Sequence, residues 1–353
     1  MEPRRIENPK NPWASVDVDY LPGEDPGARL EVWEDKSRSI LSENDSPDIP
    51  FRYSVNPYRG CQHACAYCYA RPTHEYLSLG AGTDFDTMIH VKLGAPDLLR
   101  EAFDKPSWRG DSIVFSGVTD CYQPLEASYR LTRACLEVCA EYRNPVGIIT
   151  KSPLVERDLD VLLRLQSEAH VGVSISVPFF CADKARKVEP WVASPARRLR
   201  TIETLAKAGI EVGVMVAPII PGLSDEDVPR ILEAAANAGA TSAGYVLLRL
   251  PGPVAPVFEQ RMRTAFPDRA DKILHRVKET RGGELYDPRF GKRQVGTGPY
   301  ADAIAAVFSS TARRVGLWRS QSGTERAHDG SRHADQASTF RRPQRVSPQL
   351  RLL

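Results

Sequence analysis

Six short runs rich in β-branched and aromatic residues recur along the chain, with helical patterns or polar loops between them. They are "FRYSVN" (51–56), "SIVFSG" (112–117), "VGIIT" (146–150), "VGVSISV" (171–177), "EVGVMVAP" (211–218) and "SAGYVLL" (242–248). Runs of this length and composition are the buried strands of a parallel sheet. In "ASYRLTRACLEVCAEYR", Leu131, Cys135, Val138 and Tyr142 form an apolar stripe at helical spacing. "VERDLDVLLRLQ", "SPARRLRTIETLAKAG" and "SDEDVPRILEAAANAG" are amphipathic in the same way. Ser194 and Ser224 stand where they can cap the last two helices, and Gly209 and Gly239 where they can end them. Strands alternating with helices dictate a parallel α/β architecture. Six repeats are too few to close an eight-stranded barrel, so residues 51–250 are expected to form an open, partial (β/α)6 TIM-like barrel.

The ends read differently. Residues 1–50, rich in Pro, Asp, Glu and Ser, predict an extended N-terminal arm that wraps the domain. Residues 251–316 predict a C-terminal helical extension, and residues 317–353, with little apolar content and no period, a disordered tail. That tail carries seven arginines against Glu325, Asp329 and Asp335, a net +4, which leaves −2 for residues 1–316. A core of that charge lacks the concentrated basic character of a nucleic-acid-binding domain. No apolar stretch approaches 18 residues and the start has no apolar core behind its arginines, so neither a membrane span nor a secretory signal is expected. The expected location is cytoplasmic, where seven cysteines favour metal ligation, catalysis or burial over disulfides.

In barrels of this kind chemistry gathers at the carboxyl ends of the strands. The loop after the first run, "NPYRGCQHACAYCYARPTHEY", places Cys61, Cys65 and Cys68 within eight positions of a cluster loop spanning 59–70. A structural zinc site wants four ligands, usually in two pairs. Only His63 or the distant Cys121 is at hand to complete such a set. A 4Fe–4S cube fits the spacing better: three thiolates each take one iron and leave one iron without a protein ligand. Ferredoxin-type clusters use four cysteines, so an open fourth iron is a place for chemistry. Cys135 and Cys139, four apart on one helical stripe, read as core.

Cys-x3-Cys-x-Tyr-Cys after a first strand, with six β–α alternations, resembles the radical S-adenosylmethionine (radical SAM) superfamily. The resemblance implies a 4Fe–4S cluster on Cys61, Cys65 and Cys68, and S-adenosylmethionine chelated to the open iron. Reductive cleavage of that cofactor then gives a 5′-deoxyadenosyl radical. A one-electron donor such as flavodoxin or ferredoxin is implied as partner. Tyr67, just before the third cysteine, is expected against the adenine.

Where many members carry a Gly-Gly-Glu-like segment, this chain reads "SGVTDCYQPLE" (116–126), as spore photoproduct lyase does with a hydroxyl–Asp pair. Over about residues 31–308, with "SRSIL", "NDSPDI", "ARPTHEYL", "TDCYQPLE" and "RFGKRQVGTGPY", the chain resembles an uncharacterised, spore-photoproduct-lyase-like branch of the superfamily that carries no substrate assignment. The lyase resemblance extends to "ITK" after the third run and "SI" in the fourth. It nominates Thr119 and Asp120 for the methionine ammonium, and Lys151 and Ser174 for the carboxylate and ribose. "MVAPIIPG" (215–222) is implied as a rigid wall near adenine. The lyase's radical-quenching cysteine falls at Gly117 here, so the implied hydrogen donor is missing. Cys121 is an alternative donor or an incidental thiol, and Tyr69 matches a tyrosine implicated in hydrogen relay. His74 and Glu75 are candidates for substrate contact or a surface turn. The basic "RFGKRQVGTGPY" segment is a candidate cover that meets an anionic substrate, or a surface loop. Nucleic acid is compatible as substrate but not indicated. The competing reading is a binding protein whose cysteines hold zinc or a purely structural cluster, on nucleic acid.

Overall fold

A computed structural model describes residues 29–318 and 338–344. All six expected strands are present: β1 (Tyr53–Val55), β2 (Ile113–Phe115), β3 (Val146–Thr150), β4 (Val171–Ser176), β5 (Glu211–Ile219) and β6 (Ser242–Leu247). They lie side by side in chain order and all parallel, with the short strand Leu41–Glu43 antiparallel on the outer edge of β1. β6 and Leu41–Glu43 do not pair with each other, so the sheet is curved but open, as the count of six repeats requires.

Helices α1 (Ala95–Asp104), α2 (Leu131–Tyr142), α3 (Leu159–Gln166), α4 (Pro195–Lys207) and α5 (Val228–Asn237) cover one face of the sheet. Against them the strands present Ile113, Phe115, Val146, Ile148, Val173, Ile175, Val212 and Val214, all buried. The sequence signals at the helix ends hold in part. Ser194 caps α4, its hydroxyl accepting from the Arg197 N–H at 3.3 Å. Ser224 does not cap as expected: its hydroxyl accepts instead from the Ile220 N–H at 2.9 Å, closing the turn before α5. Helices α6 (Val254–Ala265), α7 (Ala270–Glu279) and α8 (Pro299–Arg314) make up the C-terminal extension. The first two build a second apolar cluster, with Phe258, Met262, Ile273 and Val277, directly against Cys65, Ala66 and Tyr67 of the cysteine loop.

The opposite, inner face of the sheet carries several glycines and serines beside Ile149 and Met215. Gly147 pairs with Gly172, and Ser174 with Gly213, which pairs in turn with Ser242. Closed barrels fill this space with layers of bulky side chains. Here a Cβ on Gly213 would lie 2.6 Å from the Ser242 hydroxyl, and one on Gly244 2.7 Å from the Met215 sulfur. Gly147, Gly172, Ser174, Met215 and Gly244 on this face stay half-exposed, whereas the strand residues facing the helices are buried.

Parts of both end segments are held to the domain. Glu31–Glu34 pairs in parallel with Met88–Val91, which pairs antiparallel with Tyr58–Arg59, so a second small sheet anchors the chain just ahead of Cys61. Of the segment expected to be disordered, residues 338–344 are packed onto the domain: Phe340 is buried against Phe103 and Tyr142. The remainder of that segment, 319–337 and 345–353, lies outside the described residues, as do residues 1–28. Among the described residues no helix is long and apolar enough to cross a membrane.

Candidate active site at the mouth of the partial barrel

The cysteine loop is a series of tight turns. The carbonyls of Cys61, Cys65 and Cys68 each accept from the N–H three residues on, at 3.2 Å in every case. Gly60 enters the loop at φ +79°, and a Cβ there would lie 2.8 Å from Ile89 and 2.9 Å from His74, so only glycine fits. Arg71 staples the loop from beneath. It is fully buried and donates to the Cys65 carbonyl (3.0 and 3.1 Å) and to the carbonyls of Ala81 (2.9 Å) and Gly82 (2.8 Å). It also pairs with Asp86 at 2.9 Å. Gln123 ties the loop to the end of β2, donating to the Gly60 carbonyl and accepting from the Gln62 N–H, both at 3.0 Å.

Cys61 and Cys65 are buried and Cys68 is half-buried. Burial raises the Cys65 and Cys68 thiols, Cys68 to about 11, and the neighbouring cysteines raise them further. The three sulfurs therefore sense one another. Such a set becomes a trio of thiolates only when a bound metal supplies the positive charge. Among the described residues no group of three or more His, Cys, Asp or Glu is gathered tightly enough to hold one metal ion. The donors are three soft thiols in a dry loop with no carboxylate among them, which suits iron–sulfur chemistry. His63 stands between two partners: its Nδ1 lies 3.4 Å from the Asp120 carboxylate, and its ring hydrogen-bonds Cys61.

The residues expected at the cofactor divide into two sets. Lys151, at the carboxyl end of β3, lies with its ammonium 5.9 Å from the centre of the Tyr67 ring. Burial works against its charge, but Cys65, Glu189 and Asp120 hold it cationic. Ser174 lies on the inner face of β4, level with Gly213. Tyr67 is buried, and its hydroxyl donates to Glu189, a carboxylate that also takes the buried guanidinium of Arg198. Lys151 and Tyr67 thus adjoin each other at the cysteine loop, and Ser174 is placed by its strand register alone.

Thr119 and Asp120 do not stand as expected. The Thr119 hydroxyl already accepts from Asn56 (2.9 Å) and donates to the Tyr58 carbonyl (3.1 Å). The Asp120 carboxylate accepts from the Tyr122 N–H (2.9 Å), the Thr150 hydroxyl (2.7 Å) and the Lys151 N–H (2.9 Å), besides meeting His63. Burial opposes its charge, yet these partners hold the carboxyl well below the usual range. With its acceptor sites filled, Asp120 is a clamp between the ends of β2 and β3 and not an open seat for an ammonium. Cys121 is fully buried in the main core, its thiol pushed far up by burial, which supports the incidental reading over that of a donor. His74 is likewise buried and bonded to the Met88 carbonyl at 2.9 Å.

Tyr69 keeps 47% of its surface exposed, with its hydroxyl donating to the Gly117 carbonyl at 2.9 Å. At Gly117 itself a Cβ would lie 2.5 Å from both Cβ and Oγ of Ser54. No cysteine fits at the position where the lyase carries its hydrogen donor. Four residues were missed in the sequence: Arg71, Gln123, Glu189 and Arg198. Gln123 lies within the "TDCYQPLE" motif and Arg71 within "ARPTHEYL", which were signals; Glu189 and Arg198 have none, because their partners are distant in sequence.

Comparison with known proteins agrees with this geometry. The family model of the Radical SAM superfamily matches residues 55–235. An uncharacterized protein of Mycobacterium tuberculosis is 39% identical over 245 residues, 69% of this chain and 71% of the relative. The radical SAM Nalpha-GlyT isomerase of Pseudomonas phage M6 is 24% identical over 283 residues, 76% of this chain and 55% of the relative. In the solved structure of a spore photoproduct lyase variant the same fold recurs with a TM-score of 0.56 at 20% identity, over 86% of this chain and 85% of that one.

Proposed function

The chain belongs to the radical SAM superfamily, and from that premise we propose that it is an enzyme holding a 4Fe–4S cluster on Cys61, Cys65 and Cys68. S-adenosylmethionine then lies between the cysteine loop and the inner face of the barrel. When bound, the two groups supply reductive cleavage of the sulfonium and a carbon-centred radical that removes hydrogen from substrate.

The observation that carries this reading is three thiols on one stapled loop, two buried and one half-buried, after the first strand of a sheet whose inner face carries Gly147, Gly172, Ser174, Gly213 and Gly244. Lys151 is assigned the cofactor carboxylate, as an ammonium at a strand's carboxyl end with no hydrogen bond to a described side chain. Ser174 is assigned the ribose. Tyr67 is assigned the adenine side, held by Glu189, and Tyr69 the boundary with substrate. Asp120 acts through others: it fixes the Lys151 backbone and His63. Burial of the loop excludes water and stray reductants from the reacting centre. A one-electron donor of the flavodoxin or ferredoxin kind completes the system. Repair of the lyase's DNA lesion is not favoured, because Gly117 supplies no hydrogen donor and has no room for one.

Anaerobic reconstitution tests the proposal. The loaded protein should be brown and, with dithionite and S-adenosylmethionine, should release 5′-deoxyadenosine. Cys→Ala at position 61, 65 or 68 should abolish both colour and product, whereas Cys121→Ala should keep both. A colourless protein that binds zinc and yields no 5′-deoxyadenosine would favour the binding-protein reading.

A further inference from the structure

Arg249 lies two residues past the end of β6, at the rim where the barrel opens. Its guanidinium stands over the ring of Tyr69, 5.7 Å from the centroid. Tyr69 is the residue after the third cysteine, and its ring is one of the more exposed aromatic surfaces of the domain. The Nε of Arg249 is buried without a hydrogen-bond partner, and no carboxylate among the described residues pairs with this arginine.

A second cation nearby makes the position costlier. Arg281 is buried beside it and spends its donors on backbone: the carbonyls of Leu248 (2.6 Å), Leu247 (3.2 Å) and Lys292 (3.1 Å). Burial and the Arg249 charge together lower Arg281 to about 10. The acid that acts on Arg281 is Asp287, and both its oxygens are taken by Arg289, at 2.9 and 2.6 Å. Arg249 and Arg281 thus share the rim, and no carboxylate among the described residues forms an ion pair with either. A partly buried cation beside a second cation is destabilising unless something of opposite charge is supplied. An arginine offers two parallel N–H donors, the geometry that a carboxylate or phosphate accepts.

We infer that Arg249, backed by Arg281 and stacked on Tyr69, is the oxyanion-binding residue of the substrate site. The substrate accordingly carries a carboxylate or a phosphate, seated on Arg249 with its adjoining atoms against the open Tyr69 ring. This rests on the radical enzyme reading above for calling the rim a substrate site. Lys151 stands at the end of β3 with its ammonium over the Tyr67 ring, and Arg249 past the end of β6 with its guanidinium over the Tyr69 ring. The two cations are therefore separate seats, one for the cofactor and one for the substrate.

Full-length protein, anaerobically reconstituted, is titrated with inorganic phosphate and with carbon-labelled acetate, and saturation is followed by NMR line broadening. At least one oxyanion should saturate the wild type, and whichever does so identifies the substrate's group. Arg249→Gln should weaken that binding at least tenfold and Arg249→Lys by less. Arg143→Gln, which removes a surface cation paired with Glu168 at 3.2 Å, should leave it within twofold. The affinity of Arg249→Gln for S-adenosylmethionine should also stay within twofold. The inference is overturned if neither oxyanion saturates the wild type, or if Arg249→Gln binds as the wild type does. It is equally overturned if that variant loses the cofactor instead. A wild type that takes up iron and cofactor but no oxyanion defeats this site alone; one that takes up no iron defeats the enzyme reading.

Discussion

Tyr67 donates its hydroxyl to the carboxylate of Glu189, a residue 122 positions further along the chain. The same carboxylate takes the guanidinium of Arg198, which also donates to the carbonyls of Ala193 (2.8 Å) and Ser176 (3.0 Å). All three side chains are buried, so the pair is only as good as its weaker member. Glu189→Ala should strand the Arg198 charge and cost about 3–5 kcal/mol, the usual result of removing one half of a buried ion pair. Tyr67→Phe leaves that pair intact and should cost about 1 kcal/mol, one hydrogen bond. Anaerobic urea unfolding gives the order. Equal losses in the two variants would show that Glu189 serves Tyr67 alone.

Gly117 sets a limit on what this site can be converted into. A Cβ there meets Ser54 at 2.5 Å, and Ser54 is fixed in β1 by its pairing with Val114. Gly117→Cys, which would restore the lyase's thiol, should therefore destabilise the fold by roughly 1–3 kcal/mol, as overpacking does. Adding Ser54→Gly should recover much of that loss, because the two residues share one space. A double variant no more stable than Gly117→Cys would place the clash elsewhere.

The strands and the cysteine loop were legible because their signals are local: a run of β-branched residues, or three cysteines in eight positions. Thr119 and Asp120 were legible as a motif but not as to use. Whether a carboxylate is free depends on what fills its acceptor sites, and those of Asp120 are filled from β3 and from His63. Glu189, Arg198 and Arg249 gave no sign in sequence, because a buried charge is recognised only by its surroundings. Residues 338–344 read as free tail for a similar reason. One phenylalanine among arginines has no period, and its cavity is built by residues some 200 positions earlier.

His74 should make stability fall in mild acid. Burial lowers its pKa from the usual 6.5 to about 4, so the folded state prefers the neutral ring. Between those values the unfolded chain binds more protons, and the stability present above pH 6.5 is lost as pH falls toward 4. The shift is worth about 3 kcal/mol at most. Asp86 works in the opposite sense: burial raises it to about 6 against the pull of Arg71, so its contribution is present below about pH 4 and lost as pH rises through 6. The two partly cancel in the wild type, so the measurement is a difference. Stability of the wild type minus that of His74→Gln, followed from pH 7 to 4, should decline; a flat difference would mean the ring titrates alike in the folded and unfolded chain.

The last prediction concerns the C-terminal segment. Phe340 inserts between Phe103 and Tyr142, with ring centroids 5.7 and 6.0 Å away. It is accommodated because Gly110, at φ +85°, has no Cβ, which would lie 2.2 Å from that of Phe340. Beside it Arg342 donates to the carbonyls of Phe103 (3.0 Å), Lys105 (2.7 Å) and Trp108 (3.1 Å). Those groups close the carboxyl end of α1, where helix carbonyls lack partners and a cation is favourable. Phe340→Ala should cost about 3 kcal/mol, the low end for a buried phenylalanine. Arg342→Gln should cost about 1 kcal/mol, for bonds that water can partly replace. Removing residues 338–353 should cost at least as much as Phe340→Ala, since it uncovers Phe103 and Tyr142 as well. Urea unfolding of the three variants decides the matter, and a truncated chain as stable as the full one would mean the segment does not dock.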